Sequence, residues 1–206
     1  MDILAKVSIV FWRFHFYPAV IAALVLTLLF PFLFGVENAS IIQSAEIYER
    51  FFPLIGLILF LPLYLPDGSE ETTSLIKTKR FAYVNILFLR FIQIMLALFL
   101  LTCGCLLIFK QSNAAIAFGR FLFGGLANTL FMGGLFAFGF ALTVQPVTGL
   151  ILPLGYYVAS LFTGDKYLKI FYLFTLNDQD ATSKLVLFVS GVVLVLVSFM
   201  LAKRRT

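Results

Sequence analysis

Charge is scarce in this chain: only 12% of its 206 residues are Asp, Glu, Lys or Arg, about half the share of an ordinary soluble domain. Histidine is scarcer still, since His15 stands alone and excludes any His-pair metalloprotease motif in the chain. The two cysteines, Cys103 and Cys105, lie in an apolar run as Cys-Gly-Cys with no His or carboxylate beside them, an incomplete metal site. What fills the space is apolar: 62% of the residues, including 26 phenylalanines. A hydrocarbon core roughly 30 Å thick needs about 20 helical residues per crossing. The chain therefore reads as an all-α integral membrane protein of six spans, with no length left over for a soluble catalytic domain.

Apolar runs and polar breaks place the spans at about 17–35, 47–66, 83–109, 121–144, 147–163 and 185–202. Before them, residues 1–14 set Ile3, Val7, Val10, Phe11 and Phe14 on one helical face and Asp2, Lys6 and Arg13 on the other, the pattern of an interfacial amphipathic helix. The second span must borrow a turn in which Glu49 and Arg50 reach the headgroups. Pro53 falls near its start and Pro62 should kink it. Only Gln145-Pro146 separates the fourth and fifth spans, a tight hairpin whose proline can open the next helix.

Basic residues set the orientation. Lys6, Arg13, Lys77, Lys79, Arg80, Arg90, Lys203, Arg204 and Arg205 fall on one side, and Arg50, Lys110, Arg120, Lys166, Lys169 and Lys184 on the other. The first group holds both basic clusters, so both termini and the loop after the second span are expected to be cytoplasmic, in a cell membrane. The net charge of +5 is thus accounted for by topology, and no nucleic-acid partner is expected.

Four groups of residues stand out. In the loop 67–80 acids lead and bases follow, as a short helix prefers; Asp67, Glu70, Glu71 and Thr72 open it, and Leu75 and Ile76 give it an apolar edge. It reads either as a solvated loop or as a docking helix for a cytoplasmic partner. Arg90, Gln93 and Asn128 are the polar residues inside spans: candidates to line a cavity, with snorkelling for Arg90 and a helix-to-helix hydrogen bond for Asn128 as the plainer roles. No carboxylate is expected in any span core, which argues against a proton-driven carrier. Gly125, Thr129, Gly133, Ala137 and Ala141 recur every fourth residue as a smooth face, for packing inside the subunit or for a seam between subunits. Finally, residues 164–184 contain a run from Tyr167 through Phe171 to Phe174 that is too apolar for a solvated loop and too short to cross.

This layout resembles the membrane, or permease, subunit of the type-2 ABC transporter family, with its type V exporter-like fold. The features that carry the likeness are the interfacial helix, the acid-led Asp67-Gly-Ser-Glu-Glu loop, the basic re-entry Lys79-Arg80 with Arg90, the small-residue fourth span, the long segment before the last span, and the Lys203-Arg204-Arg205 ending. Thr78-Lys79-Arg80 stands where that family commonly has a proline. The resemblance implies that 67–80 is a coupling helix seated on a separately encoded ATPase. It also implies a dimer with itself or a similar chain, two ATPase copies, and ATP and magnesium bound by that partner and by nothing in this chain. It implies further that 164–184 is a re-entrant or interfacial element gating the outer end of an export pathway, with Tyr167, Phe171 and Phe174 as its gate residues; a plain aromatic anchor is the alternative. No catalytic or metal residue is expected in the chain. The competing class is a non-transporting assembly factor or an intramembrane enzyme, and nothing in the sequence names a cargo among lipids, peptides and antibiotics.

Overall fold

The computed structural model describes residue 9 and residues 11–64, 83–177 and 182–205, apart from the side chains of residues 165, 204 and 205. The loop 67–80, with Asp67, Glu70, Glu71, Thr72, Leu75 and Ile76, lies outside the described residues, as does most of 1–10.

Most of the described residues are helical, and none of them is in a strand. A π-helical turn, Trp12–Phe16, runs directly into α1 (Tyr17–Phe34), so no break separates an interfacial helix from the first span at this point. Then come α2 (Ile41–Phe60), closed by a 3-10 turn at Leu61–Leu63, α3 (Tyr83–Gln111), α4 (Phe118–Thr143) and α5 (Pro146–Thr163). A four-residue helix, α6 (Asp165–Leu168), and a 3-10 turn, Lys169–Phe171, precede α7 (Thr182–Arg205). Among the described residues, five stretches are long and apolar enough to cross a membrane: Trp12–Phe34, α3, α4, α5 and Thr182–Lys203. This is the architecture of an all-α, multi-pass membrane protein.

Local chemistry fixes the ends. Ser40 starts α2 with a capping box, its hydroxyl accepting from the Gln43 amide at 3.4 Å while the Gln43 side chain accepts from the Ser40 amide at 3.1 Å. The helix therefore begins at Ile41 rather than at the expected residue 47, and Pro62 sits in the terminal 3-10 turn, where it ends the α-helix instead of kinking it. Pro146 occupies the first turn of α5, as the hairpin reading requires.

α4 is the central helix. It packs most extensively on α7, then on α5 and α2, and is buried along most of its length. Close approach to α7 depends on Gly134 and Gly191: a Cβ on Gly134 would lie 2.8 Å from the Gly191 carbonyl oxygen, and one on Gly191 2.8 Å from the Phe131 amide nitrogen. These are contacts to backbone, which cannot yield. Helices α2, α4 and α7 thus start from the same end of the bundle, where backbone hydrogen bonds tie Asn38 to Ser112 and Ala115 to Ala39.

Candidate functional site

The starts of α2, α4 and α7 converge on one buried polar cluster. The capping box sets the phase of α2 so that Ala45, Tyr48, Glu49, Phe52 and Gly56 face inward while Glu46 and Arg50 remain exposed. Glu49 therefore does not reach the headgroups: it is 2% exposed, at roughly 12 Å along the helix from its start. Lys184 of α7, counted by sequence among the loop cations, is 4% exposed and paired with it. Asn128, 1% exposed on α4, accepts from the Lys184 ammonium at 3.1 Å. A carboxylate inside the bundle is the main departure from expectation, and its physical reason is local. A buried carboxylate is tolerated when an ammonium and amide donors satisfy it, and removing one partner of such a pair typically costs about 3–5 kcal/mol.

The remaining partners come from the chain between α5 and α7. Lys169 opens the 3-10 turn with a positive φ of 44°, and after the turn Tyr172 is extended, which sends the next residues inward. Leu173, Thr175 and Leu176 are all buried. The Leu173 carbonyl accepts from Asn128 Nδ2 at 3.0 Å and from the Lys184 ammonium. The Leu176 amide donates to both Glu49 oxygens at 3.0 Å. Leu176 fits against Gly124, where a Cβ would lie 2.2 Å from its Cδ1. This stretch thus enters the bundle from one end, to the depth of Glu49 and Asn128.

Among the three residues singled out in this stretch as a gate, only Phe174 is packed, edge-on to Tyr157 at 5.9 Å and to Tyr172 at 5.5 Å. Tyr167 is 73% exposed, and Phe171 is 45% exposed at the edge of a cavity of about 550 Å³ lined also by Phe131, Val189 and Leu194. Tyr156 donates its hydroxyl to the Phe171 carbonyl, which fixes the turn by its backbone instead of its ring. The inserted residues Leu173 and Leu176 were not singled out by sequence. Their signal was available only through their partners: Lys184 shares a helical face with Leu187, Gly191, Val195, Ser198 and Ala202, all buried.

At the opposite end, Arg90 does not snorkel. It is 7% exposed, donates to the Leu63 carbonyl at 3.1 Å and stacks over Phe11 at 5.0 Å, so it closes the end of α2 against the N-terminal turn. Nearby, Tyr64 and Ser198 hydroxyls lie 2.9 Å apart. Gln93 lines a separate cavity of about 570 Å³ with Ile9, Trp12, Arg13 and Tyr17. Arg90, Gln93 and Asn128 therefore do not share one cavity: the first two lie toward one end and Asn128 belongs to the Glu49 cluster.

The smooth face of α4 is turned to α2. A Cβ on Gly125 would lie 1.9 Å from the Tyr48 hydroxyl and one on Gly133 2.4 Å from the Phe60 ring, while Thr129 fills the notch at Gly56. Ala137 and Ala141 are buried as well. The face is occupied inside the chain. Cys103 and Cys105 are free thiols, and no group of three potential metal ligands occurs among the described residues. No family model, no curated protein and no solved structure matches the chain.

Proposed function

We propose that this chain is the permease subunit of an ATP-driven exporter of the type-2 ABC family, carrying a hydrophobic or amphipathic molecule through a cell membrane. In this reading α2 is a sixth crossing, both termini and the loop 67–80 are cytoplasmic, and the chain dimerises with itself or a similar permease. Two copies of a separate ATPase, with their ATP and magnesium, seat on the coupling helix at Asp67, Glu70, Glu71, Thr72, Leu75 and Ile76.

The observation that carries the proposal is the stretch from Leu173 to Leu176, which returns into the bundle between α5 and α7 and is held there by side chains from three helices. In this reading that stretch seals the outer end of the pathway between cycles. A second support is α2 itself. Its 20 residues span about 30 Å, and with Glu49 paired to Lys184 inside the bundle only Glu46 and Arg50 of its three charged residues remain exposed, both in its first half, from which long side chains can reach the headgroups.

Purification together with the products of its neighbouring genes tests the reading. The chain should retain an ATPase, and Glu70→Lys with Glu71→Lys should release that ATPase while the membrane subunit stays folded. Full retention by the double variant, with hydrolysis still coupled to transport, would overturn the docking assignment.

A further inference from the structure

Glu49, Asn128 and Lys184 come from three different helices, yet what they grip is backbone. The donors Lys184 Nζ and Asn128 Nδ2 meet the Leu173 carbonyl, and the acceptor Glu49 meets the Leu176 amide three residues on. Such a grip reads the position of the stretch, not its side chains. The closed arrangement also carries an internal cost. The hydroxyls of Thr175, in the inserted stretch, and of Ser44 and Tyr48, on the same face of α2 as Glu49, are buried without a hydrogen-bond partner. Withdrawal of the stretch would give the Thr175 hydroxyl water, so the satisfied cluster is opposed by an unsatisfied group within the stretch it holds.

We propose that Glu49, Asn128 and Lys184 form a latch that holds residues 173–176 inside the bundle by their backbone, and that this end of the bundle opens when the latch lets go. Its use in export rests on the permease reading, whereas the latch itself is a property of this chain alone. A buried ion pair has a plainer role, to join α2 to α7. The two differ in polarity. If Glu49 and Lys184 exchange places, the pair is kept and the helices stay joined, but a carboxylate then faces the Leu173 carbonyl and an ammonium faces the Leu176 amide. The exchange preserves the joint and abolishes the latch.

The test uses the full chain in lipid nanodiscs, with Cys103→Ala, Cys105→Ala and Thr175→Cys. The last change is mild, because the Thr175 hydroxyl has no hydrogen bond to lose and the site is 5% exposed. The readout is the rate of reaction with a water-soluble maleimide, beside thermal melting to verify the fold. Glu49→Lys combined with Lys184→Glu should raise the rate about tenfold or more, the loss expected for buried hydrogen bonds to charged groups. Asn128→Leu, which removes one donor and keeps the pair, should give a smaller rise. An exchange variant that melts normally and reacts at the original rate would overturn the latch and leave only the joint. If the exchange variant does not fold, Asn128→Leu decides, and an unchanged rate there overturns the proposal. Failure to recruit an ATPase would strike the permease reading without altering either labelling result.

Discussion

Glycine has two opposite meanings in these helices, and the neighbouring atoms tell them apart. Gly133 is a contact: its missing Cβ leaves room for the Phe60 ring, 2.4 Å from where that carbon would stand. Gly155 faces open space on the exposed side of α5 and only weakens its helix. Gly133→Ala is therefore expected to lower stability by about 1–3 kcal/mol through overpacking, and Gly155→Ala to raise it by roughly 0.5–1 kcal/mol. Thermal unfolding in detergent measures both, and equal shifts would show that α4 and α2 are less tightly joined than the geometry requires. The spacing of Gly125, Thr129 and Gly133 was legible in the sequence because four-residue periodicity is intrinsic to a helix. Glu49 was misread because its neighbours Glu46 and Arg50 are exposed, and proximity in sequence outweighed its helical phase with Ala45 and Gly56.

At the scale of elements, helices were legible wherever an apolar run exceeded the length of a crossing. α3, α4, α5 and α7 begin and end within about three residues of the expected spans. α2 was placed six residues late, because charge near its start hid a helix that its Ser40 capping box begins at Ile41. The stretch between α5 and α7 was legible as neither loop nor span, and its aromatic residues drew attention from the leucines that enter the bundle. The packing predicts an order among the aromatics. Phe174→Ala removes a ring held between Tyr157 and Tyr172 and should cost up to about 3 kcal/mol of closure, whereas Tyr167→Ala, at a site 73% exposed, should change little. If the chain is the proposed permease, then reconstituted with its ATPase Phe174→Ala should raise hydrolysis unmatched by export, and Tyr167→Ala should leave the ratio as it was. The reverse order would remove Phe174 from the gate of that proposal.

The described helices pack around α4, and only three of their connections, α1 to α2, α3 to α4 and α4 to α5, are short links between long apolar runs. What no run length could reveal is which distant residues meet. Glu49 and Lys184 are separated by 135 positions, and that separation has a consequence for biogenesis. At a synthesis rate of roughly 5–20 residues per second, the Glu49 carboxylate leaves the ribosome on the order of ten seconds before the ammonium that neutralises it. If α2 is the sixth crossing proposed above, during that interval it carries a charge that resists hydrocarbon, and it is expected to wait shallow, with Glu49 near water, until α7 is delivered. A chain stopped at residue 177 should therefore expose a cysteine placed at Ala45 to aqueous thiol reagents, whereas the full chain should protect it, since Ala45 is fully buried once the bundle is complete. Equal protection in both would mean that α2 seats on α4 unaided. On this timetable the second long helix is among the last to settle, because the ammonium that pairs with its buried carboxylate arrives on the last helix.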